Sequence, residues 1–186
     1  MDTWVWIVLA LLAVAAIAIV AWVATQARRS KQLREGFGPE YERVVDEAGD
    51  KREAERELQA RRERYEEFDI KPLAPGARTR YAEEWRAVQE RFVDEPDSAV
   101  RDADRLVQQV MAERGYPVED DFERRADDLS VDYPELVENF RKGNRLWSDY
   151  EAGNAGTEDL RQAMVHYRSL FEELLEEQPA HQESQR

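Results

Sequence analysis

The sequence predicts an all-α protein with one N-terminal transmembrane helix. An uncharged apolar run of 21 residues extends from Trp4 to Ala24. After it, apolar residues recur three, four and seven positions apart, which is the spacing of a helix with one buried face. No segment alternates apolar and polar residues as a strand would. We therefore predict a membrane anchor, a long charged helix and then a small bundle of about five helices.

The anchor is predicted to occupy residues 1–27. At 1.5 Å per residue its apolar run makes about 31 Å of helix, which matches a hydrocarbon core of about 30 Å. Aromatic side chains lie at both ends of the run, where they suit the membrane interface: Trp4, Trp6 and Trp22. A cleaved signal peptide fits less well, because residues 1–3 carry no basic side chain and the run exceeds the usual length. The alanine-rich composition favours an ordinary span over a dimerisation motif, whose small-residue spacing occurs only at Ala21 and Thr25.

The flanks of the apolar run predict its orientation. Four basic side chains form a collar just after it: Arg28, Arg29, Lys31 and Arg34. No basic side chain precedes it. The positive-inside bias therefore places the C-terminal region in the cytoplasm and the N-terminus on the other side of the membrane. The collar segment, residues 28–38, ends in Gly36-Phe37-Gly38-Pro39, a break before a new helix.

Residues 39–68 are predicted to form one long, highly charged helix. Its apolar side chains follow helical spacing in a narrow stripe: Tyr41, Val44, Val45, Ala48, Leu58, Tyr65 and Phe68. The stripe lapses between Ala48 and Leu58. We therefore favour a solvated helix over the alternative, a coiled-coil stalk that docks a partner.

Residues 69–177 are predicted to form the helical bundle, and residues 178–186 a disordered tail. A linker rich in proline and glycine, residues 69–76, opens the bundle. Tyr81, Trp85, Val88 and Phe92 share one helix face, and a second apolar face lies between Val100 and Met111. Gly115-Tyr116-Pro117 stops that second helix. Asp132 is predicted to cap a further helix, with Glu135 in the capping-box position. The last helix has an apolar face from Leu160 to Leu175.

Charge restricts the classes of partner. The whole chain carries a net charge of −14, and the part from Glu35 onward carries −17. Such a surface should repel nucleic acid, which needs a basic footprint. It favours a protein partner instead, with a basic one matching the acidic surface best.

No catalytic, cofactor-binding or metal-binding residue is predicted. The chain has no cysteine, which excludes disulfides and thiolate chemistry. His166 is the most plausible general base, but no serine lies in a nucleophile elbow to pair with it. Ala163 stands where a di-iron bundle would need a glutamate three residues before His166. The eight glycines build neither a Walker nor a Rossmann loop. We therefore expect a protein that is not an enzyme.

Six stretches cover most of the chain after the anchor: residues 33–41 (LREGFGPEY), 85–94 (WRAVQERFVD), 103–107, 114–117, 128–131 and 157–168. These stretches resemble a family of uncharacterised bacterial membrane or secreted proteins. The resemblance implies a bacterial single-pass membrane protein and carries no assigned activity. Members often have a histidine near position 144, where this chain has Asn144, so no histidine site is carried over to this chain.

The functional expectation follows from these features. We expect a membrane-tethered interaction or scaffold module without catalytic activity, with the lipid bilayer and a protein as its partners. The alternative is an extracytoplasmic helical domain that binds an envelope component or a small ligand. A pocket lined by Trp85, Trp147 and Tyr167 would support that alternative.

Overall fold

A computed structural model describes residues 3–118 and 121–176, and within it the side chains of Thr3 and residues 5–10 are outside the description. The described residues form seven helices and no strand, so the all-α prediction is confirmed. The helices are α1 (Thr3–Ala48), α2 (Lys51–Tyr65), α3 (Ala77–Arg91), α4 (Pro96–Arg114), α5 (Phe122–Leu129), α6 (Val137–Glu151) and α7 (Thr157–Glu176). The predicted tail, residues 178–186, lies outside the described residues.

Contacts divide the chain into two compact units, Met1–Leu58 and Gln59–Arg186. In the first unit α1 is broken at Gly38, whose φ of 45° is left-handed and therefore suits glycine. Pro39 follows as the first residue of a new helical arm. Phe37 and Val44, one on each side of the break, are both buried. The Gly36–Pro39 break predicted from the sequence is therefore present, with its bend at Gly38.

The prediction of a single helix over residues 39–68 is wrong. The helical arm that begins at Pro39 ends at Ala48, and α2 starts afresh at Lys51. Gly49 adopts a left-handed φ of 66°, and the Asp50 carboxylate accepts a hydrogen bond from the backbone N–H of Glu53 at 2.9 Å. Glycine followed by a capping aspartate ends one helix and starts another. The lapse in the apolar stripe after Ala48 marks this turn.

The second unit contains the bundle. Helix α7 packs against α4 and α6, while α3 packs against α4 and α5 against α6. Rings fill the interior: Trp85 of α3 stacks on Phe171 of α7 with centroids 4.5 Å apart, and Phe140 of α6 meets the edge of Tyr167 at 6.0 Å. The apolar faces predicted for these helices therefore form the core, except that Phe92 lies just after the end of α3 and is only half-buried.

Helices α6 and α7 approach closely at a glycine. A Cβ on Gly143 would lie 3.3 Å from the Tyr167 ring and 3.5 Å from the Ala163 carbonyl oxygen. Ala163 itself is fully buried. Small residues at facing positions let the two backbones come together and leave room for the Tyr167 ring.

The capping box predicted at Asp132 and Glu135 is wrong. Helix α6 begins at Val137, and the stretch before it is a series of turns in which Tyr133 bonds back to Leu129. The Asp132 carboxylate instead accepts hydrogen bonds from tyrosine hydroxyls of distant segments. The spacing of Asp132 and Glu135 could not predict these bonds, because the tyrosine hydroxyls that donate them come from distant parts of the sequence.

Candidate functional site

The N-terminal part of α1 is an apolar helix with no partner in the described chain. It is the one helix among the described residues that is long and apolar enough to cross a membrane, and none of its apolar window is buried. The side chains of Trp4, Ile17 and Trp22 are 71, 70 and 61 % exposed. Such a surface is unfavourable in water and suits a hydrocarbon environment. The side chain of Trp6, the third predicted interfacial aromatic, lies outside the described residues.

The predicted basic collar continues the same helix without interruption. Arg28 and Arg29 are exposed at its start. Lys31 lies 3.6 Å from Glu35, and Arg34 lies 2.6 Å from Glu42 across the Gly38 bend. All four of these paired side chains are more than half exposed, so the pairs contribute little to stability.

The bend at Gly38 folds the second arm of α1 back along the first and creates an open cleft of about 450 Å³. Ala27, Ser30, Lys31 and Arg34 of the first arm face Tyr41, Glu42 and Val45 of the second, and Lys51 of α2 closes one side. Since Ala27 shares the cleft with Val45 and Lys51, the turn after Ala48 returns to the level of the collar. The cleft therefore adjoins the end of the apolar run.

Lys51 is the residue of this region that sequence reasoning missed. It lies 17 positions after Arg34, inside the stretch that the sequence predicts to be one helix, so no local pattern connects it with the collar. Its ammonium lies 3.6 Å from Glu55, whose carboxylate also accepts from the Tyr41 hydroxyl at 2.8 Å. Burial raises the pKa of Glu55, but hydrogen bonds from Ser30 and Tyr41 and the charge of Lys51 outweigh burial and hold it below its usual range.

The second unit contains a buried network of arginines and carboxylates. Asp127 of α5 lies 3.0 Å from Arg61 of α2 and 3.0 Å from Arg141 of α6, and both arginine side chains are almost fully buried. Arg64, one turn after Arg61, pairs with Asp128 at 2.8 Å. The cost of removing these charges from water offsets much of their mutual attraction, so the pairs are weak evidence for net stability. They fix how α2, α5 and α6 meet.

A second buried polar group centres on Asp132. Its carboxylate accepts hydrogen bonds from the hydroxyls of Tyr65, at 2.5 Å, and Tyr116. The neighbouring Tyr133 hydroxyl accepts from the guanidinium of Arg114, which is fully buried and also donates to the Leu174 carbonyl at 2.9 Å. These bonds tie the ends of α2, α4 and α7 to the turns before α6.

The third group lies where α4 meets α7. Burial raises the pKa of Asp104, against the opposing charge of Arg125 and a hydrogen bond that the Gln108 side chain donates to its carboxylate at 2.5 Å. Burial raises the pKa of the Tyr167 hydroxyl, and the charge of Asp104 raises it further. The polar groups of the interior thus face one another, which is how a helical core accommodates charge.

His166, the histidine weighed as a general base, is half-buried on α7. Burial lowers its pKa, and the charge of Lys142 lowers it further. The nearby Ser169 hydroxyl donates to the His166 backbone carbonyl at 2.9 Å, so this serine is engaged with the helix backbone. Among the described residues, no three histidine, aspartate or glutamate side chains come together as metal ligands. The predictions about catalysis and metals stay predictions.

The three rings proposed to line a ligand pocket make separate contacts. Trp85 is stacked on Phe171, and Tyr167 is buried against Phe140. Trp147 is half-exposed, stacked on Tyr150 at 6.0 Å and covered by the guanidinium of Arg101 at 5.5 Å. The structure does not bring these rings together around one space.

The fold and these features define an all-α chain with an apolar N-terminal helix able to span a membrane. Comparison of the chain with models of known protein families, with curated proteins and with solved structures finds no match in any of the three.

Proposed function

We propose that this protein is a membrane-tethered helical interaction module that acts without catalysis. The observation that carries the proposal is the wholly exposed apolar face of α1 over a length that matches a bilayer. A helix of a soluble core would be mostly buried, and this one is not. A tether confines the acidic helical unit to the membrane surface, which raises its effective concentration for a partner there.

We place the helical unit on the cytoplasmic face. The support is the collar of Arg28, Arg29, Lys31 and Arg34 on one side of the span and the lack of basic side chains in residues 1–3. The cytoplasmic leaflet carries the anionic lipids that attract such a collar. The net charge of −17 beyond the collar holds the rest of the chain away from the same lipids.

Cysteine labelling of intact cells tests this placement. The chain has no native cysteine, so Thr3→Cys and Ser184→Cys each introduce a single thiol. With an impermeant maleimide we expect labelling at position 3 in intact cells and at position 184 only after the cells are opened. Labelling at position 184 in intact cells contradicts the orientation and favours an extracytoplasmic domain that binds an envelope component.

Ala16→Cys is the matched control, because it lies in the middle of the apolar run. We expect it to resist labelling in intact and opened cells alike, since an impermeant reagent does not enter hydrocarbon. Ready labelling at position 16 after opening, or a mature chain lacking residues 1–27, contradicts the tether itself.

The interaction is expected to depend on salt. An acidic unit that binds a basic partner loses affinity when salt screens the charges over the Debye length. Affinity capture from solubilised membranes at low salt is expected to return one partner in constant ratio, and high salt to release it. A partner retained equally at both salt concentrations contradicts the electrostatic basis of the proposal.

A further inference from the structure

We propose that the cleft between the two arms of α1 and the start of α2 binds the phosphate of an anionic phospholipid headgroup. This inference rests on the membrane tether proposed above. The proposed function uses the collar only as a general positive charge near the membrane. The present proposal assigns a defined cleft as a binding site and includes Lys51, a residue outside the collar.

The position of the cleft along α1 sets the depth at which it lies. Ala24 ends the apolar run, so Ala27 lies about 4.5 Å and Lys31 about 10 Å beyond the hydrocarbon edge. The headgroup layer of each leaflet is about 5–7 Å thick, and lysine and arginine side chains extend several ångströms toward it. The mouth of the cleft is therefore at the level of lipid phosphates.

The lining of the cleft suits an anion. Lys31, Arg34 and Lys51 contribute three positive charges to the lining, which itself contains one carboxylate, that of Glu42. Two more carboxylates, those of Glu35 and Glu55, lie outside the lining and pair with Lys31 and Lys51. The hydroxyls of Ser30 and Tyr41 also lie at the cleft, where both donate to the Glu55 carboxylate. A volume of about 450 Å³ accommodates a phosphate and its glycerol ester. Guanidinium and ammonium groups with nearby hydroxyls are the donors that recognise phosphate.

The existing ion pairs do not close the cleft to such a ligand. The carboxylates near the three cations are Glu35, Glu42 and Glu55, at distances of 3.6, 2.6 and 3.6 Å. The cations are 61–74 % exposed, and exposed pairs are weak and exchange readily with water and ions. Hydrogen bonds from Ser30 and Tyr41 and the charge of Lys51 hold the pKa of Glu55 below its usual range, so these three groups already stabilise one anionic oxygen beside the cleft.

The backbone explains why Lys51 is at the cleft. The left-handed Gly49 and the Asp50 cap reverse the chain, so the first residue of α2 faces the collar. Without this turn the second arm of α1 would have continued past the collar toward the hydrocarbon, and Lys51 would have left the cleft. The turn therefore has a consequence for ligand binding as well as for the fold.

The test uses the full chain reconstituted in lipid nanodiscs made of equal parts phosphatidylcholine and phosphatidylglycerol. Native mass spectrometry after release from the disc counts the phosphatidylglycerol molecules that stay bound. Lys51→Gln is expected to lower the retained phosphatidylglycerol about fivefold relative to the parent chain, as expected for the loss of one basic contact at the surface. Arg34→Gln, from the opposite wall, is expected to act in the same direction.

Arg52→Gln is the matched control, because Arg52 is the exposed neighbour of Lys51 and does not line the cleft. It removes the same charge at nearly the same depth, and we expect less than a twofold change. Equal losses for Lys51→Gln and Arg52→Gln would show a diffuse electrostatic attraction and overturn the cleft.

Two further arms separate the sources of failure. Inorganic phosphate is added to the parent chain in the same nanodiscs; if it displaces the retained phosphatidylglycerol at millimolar concentration, the cleft takes a soluble phosphate and the lipid assignment is overturned.

A parent chain that does not co-purify with the discs contradicts the tether, and with it the proposed function. A chain that inserts but retains both lipids in their bulk ratio contradicts the cleft alone.

Discussion

Gly115→Ala is expected to lower the free energy of unfolding of the second unit by about 3–5 kcal/mol. Gly115 follows α4 with a left-handed φ of 97°, which costs an alanine about 1–2 kcal/mol. A Cβ there would also lie 2.2 Å from the backbone oxygen of Asp69 and 2.9 Å from its carbonyl carbon. A backbone group cannot rotate away as a side chain does, so one of the two segments has to move.

The close approach of Asp69 to Gly115 lies where the linker before α3 is bonded to the end of α4. The backbone N–H of Lys71 donates to the carbonyl of Arg114 at 2.9 Å, and this bond lies beside the clash. Gly115 and Tyr116 end α4 by donating to Ala112 and Met111, the pattern of a Schellman cap. We expect alanine at position 115 to weaken both the Lys71–Arg114 hydrogen bond and the cap of α4. Urea unfolding of the full chain in non-ionic detergent, monitored by near-ultraviolet circular dichroism, should then show a lower midpoint.

Gly153→Ala supplies the matched control. Gly153 ends α6 with the same cap, in which it donates to Tyr150 and Asn154 donates to Asp149. Its φ is 76°, yet no atom lies within 4 Å of the position of its Cβ. This variant should lose only the left-handed backbone cost, about 1–2 kcal/mol. Equal losses of unfolding free energy at the two positions would show that the chain relieves the clash with the Asp69 backbone at no energetic cost.

Asp132→Ala is the second change with a large expected effect, a loss of about 2–4 kcal/mol. The substitution leaves the hydroxyls of Tyr65 and Tyr116 without their acceptor in a site where water has little access. Each unsatisfied buried hydroxyl costs about 1–3 kcal/mol. Asp132→Asn keeps one acceptor oxygen and should lose about half as much, measured as urea midpoints under the same conditions.

A double-mutant cycle separates this pairing from other effects of the substitution. In a chain that carries Tyr65→Phe and Tyr116→Phe, no hydroxyl is left to satisfy, so Asp132→Ala should cost much less than in the parent chain. If Asp132→Ala lowers the free energy of unfolding equally in the chain with both phenylalanines, Asp132 does not stabilise the protein through these two hydroxyls.

The same site predicts how stability depends on pH. Burial raises the pKa of Tyr65 and Tyr116, and the charge and hydrogen bonds of Asp132 raise both further. Because an unfolded tyrosine has a pKa of about 10, this contribution to stability is complete below about pH 10 and is lost as pH rises through the folded pKa values. In an alkaline titration, tyrosinate absorbance of these two residues should appear only with unfolding. In Asp132→Ala it should appear at lower pH.

Local sequence patterns were enough to predict the helical class, an N-terminal helix long and apolar enough to cross a membrane, and the interior faces of the bundle helices. These features depend on local spacing, since a helix repeats every 3.6 residues and a bilayer sets the length of a span. The break at Gly38 was predictable for the same reason, because a glycine followed by a proline favours a turn through local backbone geometry alone.

Other features were decided by tertiary structure. Asp132 has the spacing of a helix cap but binds Tyr65 and Tyr116, which are 67 and 16 positions away. Lys51 joins the collar because two glycine turns bring the chain back to it. Gly115 matters because Asp69 approaches its backbone. Long-range hydrogen bonds and close backbone contacts depend on which segments meet in space, and the spacing of residues along one helix carries no information about that.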